Sequence, residues 1–209
     1  MSLLPDTQWK LGYNPDDGNL VRLFYIPALE AAARYDRSTG YFTATALMLA
    51  ARGIEGLVRN YGHMRLLVGC TLKQPEVDAI ERGEALRQAV DSHLGNMPLQ
   101  PETPEAKDAL ELLAWMIAKG LLEVKVAIPC GPTRKPIASN GIFHEKAGVV
   151  EDKAGHRLGW NGSLNETENG WRNSWEDFDV FALGRARGRA STGWMRSLPG
   201  YGVGPQTTC

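Results

Sequence analysis

Phe143-His144-Glu145-Lys146-Ala147-Gly148-Val149-Val150-Glu151-Asp152 reads as a strand, and the turn residues Asp152-Lys153-Ala154-Gly155 lead to a second strand through Arg157-Leu158-Gly159-Trp160. Side chains alternate faces along a strand, so His144 and Lys146 are expected on the same side. Beyond the second strand, Asn161-Gly162-Ser163-Leu164-Asn165 sets a hydroxyl and a carboxamide two positions apart, next to a glycine that lets a ligand approach the backbone. Both ends of the hairpin can therefore serve one pocket. In it an imidazole, an ammonium, a hydroxyl and a carboxamide face a single anion.

A lone His-x-Lys is most often a solvated strand face, and the specificity comes from what accompanies it. His-x-Lys, an acid farther on and Gly-Ser-x-Asn together resemble the HKD signature of the phospholipase D superfamily. The signature's spacing falls on Glu151, with Asp152 beside it, and either can stand for the acid. Downstream, Trp175-Glu176-Asp177-Phe178-Asp179-Val180-Phe181 alternates like a strand. Its Glu176 corresponds in place to a Glu that orients the nucleophilic His in single-motif bacterial nucleases of that superfamily. Thr39-Gly40-Tyr41-Phe42 more loosely resembles the N-terminal strand of members found alone or fused to helicases and restriction systems.

The resemblance implies a phospholipase D-like half-unit that cleaves phosphodiesters through a covalent phosphohistidine on His144. Lys146 and Asn165, helped by Ser163, would stabilise the phosphoryl oxygens, and Glu176 would hold the imidazole. No metal and no other cofactor is implied, and the signature acid is expected to be structural. His63, His93 and His156 have no Lys two residues later, so half a double-motif active site is present. Two imidazoles are wanted, one as nucleophile and one as acid for the leaving oxygen. A homodimer with one composite site on its two-fold axis would supply both, the alternative being that the missing half comes from another protein or from another part of a longer chain.

The chain has 209 residues, 43% of them hydrophobic, enough for one domain with a real core. Its formal net charge of −1 excludes a surface coated in basic charge but leaves room for a local basic groove. Cys70, Cys130 and Cys209 form no Cys-x-x-Cys pair and no zinc-finger spacing, which fits a reducing cytoplasm. No apolar run is long enough to span a bilayer, and the N-terminus lacks a basic start and a long apolar segment. A cytoplasmic protein with no membrane partner is the expectation.

Residues 1–17 read as an irregular lead-in, 18–183 as the phosphodiesterase domain and 184–209 as a flexible tail. Ala28 to Ala33 is expected to be helical, after a break at Pro27, and Arg37 to Phe42 to be a strand. Thr45 to Asn60 reads as a helix, Met64 to Cys70 as a central strand, and Pro75 to about Gly95 as another helix that carries His93 on its surface. Thr103-Pro104-Glu105 starts a helix that Gly120 stops, with Leu110, Leu113, Trp115, Met116 and Ile117 as its apolar stripe. Leu121 to Ile128 is the strand that feeds the site. Strands alternating with helices predict an α/β fold with a mixed, mostly parallel sheet flanked by helices.

Between that strand and the motif, the loop from Pro129 to Ile137 offers Arg134 and Lys135 to a nucleic-acid backbone, or merely to solvent. Trp171 and Arg172 form a second candidate lip, since an indole stacks on a base; packing is the other role open to Trp171. The expected function is a metal-independent phosphodiesterase, a nuclease acting on DNA rather than RNA in a restriction, defence or repair setting, with a possible helicase or restriction partner. The rival is a non-catalytic nucleic-acid-binding or dimerisation module. A lipid phosphodiesterase would want a membrane-contact segment, and none is visible.

Overall fold

The computed structural model describes residues 3–40, 42, 44–69, 104–138, 143–164 and 175–185. Among the described residues, seven strands form one sheet: β1 (Gly12–Tyr13), β2 (Ala32–Thr39), β3 (His63–Gly69), β4 (Leu122–Ala127), β5 (Ala147–Asp152), β6 (His156–Gly162) and β7 (Phe178–Arg185). Their order is β1-β7-β6-β5-β2-β3-β4. The sheet is mixed and the class is α/β, as expected, but its balance lies on the antiparallel side rather than the parallel. Only β2–β3 and β3–β4 are parallel; the other four neighbouring pairs are antiparallel. Connection length explains the difference. Parallel neighbours need a long crossover, whereas β5 returns as β6 through the tight turn at Asp152–Gly155, which permits only an antiparallel partner.

Ala32 and Ala33, expected to finish a helix, open β2 instead. Pairing with β3 on one side and β5 on the other outweighs the helix preference of alanine. The helix before it, α1 (Ile26–Ala31), follows a π-helical turn at Val21–Tyr25 and takes Pro27 in its first turn, where the missing N–H costs no bond. The single helix expected over Thr45–Asn60 is two, α2 (Ala44–Leu49) and α3 (Ala51–Arg59), separated at Ala50. α3 turns Gly53, Ile54, Gly56 and Leu57 inward.

α4 (Pro104–Ala118) starts at the expected Pro and ends before Gly120. Met116 is fully buried on it, while Trp115 and Ile117 are exposed. Consecutive positions on a helix point about 100° apart, so these three cannot share one stripe. The expected helix from Pro75, with His93, lies outside the described residues, as do Cys70 and the tail beyond Arg185.

The core sits on one face of the sheet, where Tyr35, Val150, Leu158, Trp160, Phe178 and Val180 meet the N-terminal segment and helices. Phe24 is at its centre, with its ring centroid 4.9–5.6 Å from those of Trp9, Tyr13, Tyr25, Trp160 and Phe178. Such aromatic pairs add roughly 0.5–1.5 kcal/mol each beyond the area they bury. The lead-in takes part in this core. It holds two 3₁₀ turns and β1, and buries Leu4 and Tyr13. No helix among the described residues is long and apolar enough to cross a membrane.

Asp152 fastens the lead-in to the β5–β6 turn. Its buried carboxylate accepts from Leu4 N (3.0 Å), Ala154 N (2.8 Å), His156 N (3.0 Å) and, at 2.9 Å, the His156 ring at Nδ1. Burial alone pushes this carboxyl up, but the bonds from Leu4 and His156 outweigh it and hold Asp152 below the usual carboxylate range. A group depressed in the folded state lends stability above its unfolded pKa and loses it as pH falls through the folded one. Asp152→Asn is therefore expected to cost about 1–3 kcal/mol at pH 7. In urea melts the gap to the wild type should close below about pH 4; a gap constant with pH would show that the charge on Asp152 contributes nothing.

Candidate active site

Antiparallel pairing puts the start of β5, the end of β6 and the start of β7 at one edge of the sheet. Ala147 pairs with Asn161, Asn161 with Asp179, and Gly162 with Phe178. Backbone bonds continue that row past the strands, from Gly162 N to Lys146 O (3.2 Å) and from Ser163 N to Asp177 O (2.9 Å). Because Ser38 pairs with Ala147, the carboxyl end of β2 joins the same edge, and the parallel strands β3 and β4 end there too. Ligands in open α/β sheets favour this edge. Topology thus brings three segments to one edge: the one with His144 and Lys146, the one with Ser163 and the one with Glu176.

β5 begins at Ala147, so His144 and Lys146 precede the strand expected to carry them. The pair is divided as a result. His144 is exposed, whereas Lys146 keeps the alternation of Gly148 and Val150 and is buried to 4% exposure. The ammonium turns back to donate to the carbonyl oxygen of His144 at 3.1 Å. Phe143 lies over the end of β3 at Gly69, where an added Cβ would come within 2.3 Å of the Phe143 Cβ. Ser38 Oγ donates to the Glu145 carboxylate at 2.9 Å. The segment bearing the imidazole is therefore tied to β2, β3 and β6.

Burial pushes the Lys146 ammonium below the ordinary lysine range; Glu176 opposes this and Arg37 adds to it. An ammonium partly withdrawn from water acts more strongly on an anion than one in bulk solvent. Glu176 is half-buried just before β7. Among the described residues its electrostatic effect falls on Lys146, and it shares no hydrogen bond with His144. The Ser163 hydroxyl oxygen accepts from Asp177 N at 3.1 Å.

The signature acid separates into two roles. Asp152 is the buried clasp at the far end of β5, and Glu151, half-buried beside it, makes no such set of bonds. Arg134 and Lys135 are exposed in a tight turn after β4, closed by bonds from Gly131 N to Lys135 O and Arg134 N to Gly131 O, both 2.9 Å. Arg134 has φ +59°, a left-handed backbone that few non-glycine residues adopt. The turn rises from the same edge, two strands or about 10 Å from β2. Asn165, Trp171 and Arg172 lie outside the described residues. Among those described, no group of three or more His, Cys, Asp or Glu could hold a metal ion.

Sequence reasoning missed Arg37. Asp36, Arg37, Ser38 and Thr39 are all buried, at 2% exposure or less, on a central strand. Asp36 is explained by Arg65, whose Nε and Nη2 donate to its two oxygens at 2.6 and 2.7 Å, and by Arg34 at 3.0 Å. The signal was there: four polar residues in a row on a strand between apolar strands mark a site or a network.

A scan against protein-family models matches none, and a search of curated proteins finds no match. Solved structures give likenesses of low identity. NucT from Helicobacter pylori is 14% identical with a TM-score of 0.44, covering 82% of each chain. Nuc from Salmonella typhimurium, a phospholipase D family member, is 13% identical with a TM-score of 0.44, covering 83% of this chain and 82% of that one. Phosphatidylserine synthase of Haemophilus influenzae is 16% identical with a TM-score of 0.45, covering 83% of this chain and 34% of that one.

Proposed function

We propose that this chain is a metal-independent phosphodiesterase that cleaves DNA. The observation that supports the reading is that the segments bearing an exposed imidazole, a buried ammonium, a hydroxyl and a carboxylate end at one edge of the sheet, in the order of the signature. In the reaction, a His144 ring nitrogen attacks phosphorus and a P–N bond forms as the bond to the leaving oxygen breaks. Water then attacks the phosphohistidine and restores the imidazole. Two displacements replace one harder one. Lys146, Ser163 and Asn165 meet the charge on the non-bridging oxygens. Glu176 favours the cationic forms around it, Lys146 first, and would hold the His144 ring once substrate draws it inward.

The leaving oxygen needs a proton from the opposite side, and in this reading a second copy of the chain supplies it through its own His144. Arg134, Lys135, Trp171 and Arg172 would bind the flanking polynucleotide, with a restriction or helicase protein as a further partner. The decisive assay is release of nitrophenol from bis(nitrophenyl) phosphate, then nicking of plasmid DNA, both with EDTA present. Turnover should persist in EDTA, because an ammonium and an imidazole do the work that metals do elsewhere. Strict dependence on magnesium would sink the mechanism. Binding of DNA without turnover of either substrate would leave the non-catalytic module.

A further inference from the structure

Arg37 pairs with Gly148 and Gly148 with Trp160, so the three lie in one row across β2, β5 and β6 on the core face. The middle of that row has no side chain. An added Cβ at Gly148 would come within 2.2 Å of the Trp160 ring, so the glycine lets the indole lie across β5. It reaches the guanidinium, whose Cζ stands 5.9 Å from the ring centroid. Arg37 is fully buried, and its Nη2 donates to the carbonyl oxygen of Leu164 at 2.5 Å. A buried guanidinium is costly to keep, and this bond falls on the turn that carries Ser163.

We propose that Arg37 is a positioning residue for the reaction: it anchors the Gly162–Ser163–Leu164 turn from beneath and adds a fixed positive charge behind Lys146. The proposal rests on the phosphodiesterase reading of the same site. Among the described residues, the charges that act on Lys146 are Glu176, from the segment before β7, and Arg37, from β2. Arg37 is the like charge of that pair, and the carboxylates of Glu145, bonded by Ser38, and of Asp177, beside Ser163, stand at this end of the sheet as well. The planar fork of Arg37 lies against the indole and donates to the Leu164 carbonyl, which fixes where its charge sits.

The test compares wild type, Arg37→Lys and Arg37→Met by pH profiles of bis(nitrophenyl) phosphate hydrolysis and by NMR titration of Lys146 in the unliganded protein. Arg37→Met is expected to lower kcat about a hundredfold or more. It should also move the alkaline limb of kcat/KM, and the Lys146 titration, to higher pH, since a repelling charge is gone. Arg37→Lys keeps the charge but loses the rigid fork on Leu164, so kcat should fall about tenfold with the limb unmoved. A merely structural arginine would change the folded fraction and leave the limb and the Lys146 titration where they were, which overturns the proposal. If Arg37→Met fails to fold, Arg37→Lys decides: wild-type kcat refutes the anchoring role. A wild type that hydrolyses nothing overturns the phosphodiesterase reading, while the Lys146 titration in the unliganded variants still accepts or rejects the influence of Arg37.

Discussion

Replacing His144 with alanine is expected to lower kcat on a phosphodiester by about 10³-fold or more, because in the proposed reaction its imidazole forms the bond to phosphorus. Stability should stay within about 0.5 kcal/mol, since the imidazole is exposed. Circular dichroism melts beside the kinetics separate the two effects. A variant that keeps a tenth of the activity would mean that His144 is not the nucleophile. The same variant tests the second imidazole. With a composite site on a two-fold axis, mixing wild-type chains with an excess of His144→Ala chains traps most wild-type chains in impaired dimers. Activity per wild-type chain then falls as the variant is added, whereas independent sites would leave it constant.

That the segments carrying His144 and Lys146, Ser163, and Glu176 reach one end of the sheet was legible, because a hairpin followed by a further antiparallel strand returns them there. The difference in exposure between His144 and Lys146 was not legible. Alternation places two residues on one side only while the strand lasts, and β5 starts after both of them. The strand balance was hidden for a related reason: helical stretches advertise crossovers, whereas a two-residue β1 has too few residues to show a pattern. Ala32 and Ala33 carry a helix preference that only long-range pairing can overrule, and pairing is not written locally. Arg37 was visible in sequence but had no meaning until Gly148 and Trp160 stood beside it.

Replacing Lys146 with methionine is expected to separate stability from activity. Lys146 is buried just before β5, and burial has already pushed its pKa down. Methionine has similar length and no charge to desolvate, so folding stability at pH 7 should be unchanged or higher, within about 1 kcal/mol. Glu176 loses a neighbouring cation, but it is half-buried and can hydrate. Turnover should fall about 10²- to 10³-fold, as when a preorganised group aimed at developing charge is removed. The pH dependence supplies a second sign. With the folded pKa below the unfolded one, the unfolded chain binds more protons between the two values, so the contribution of Lys146 to stability rises with pH across that alkaline window. In Lys146→Met that rise should be absent. Urea melts across the alkaline range and initial rates at neutral pH measure both effects. A variant that is much less stable and loses activity only in proportion would make Lys146 a packing residue; one that is stable and slow would mark it as a cation kept at the expense of folding for the anion it binds.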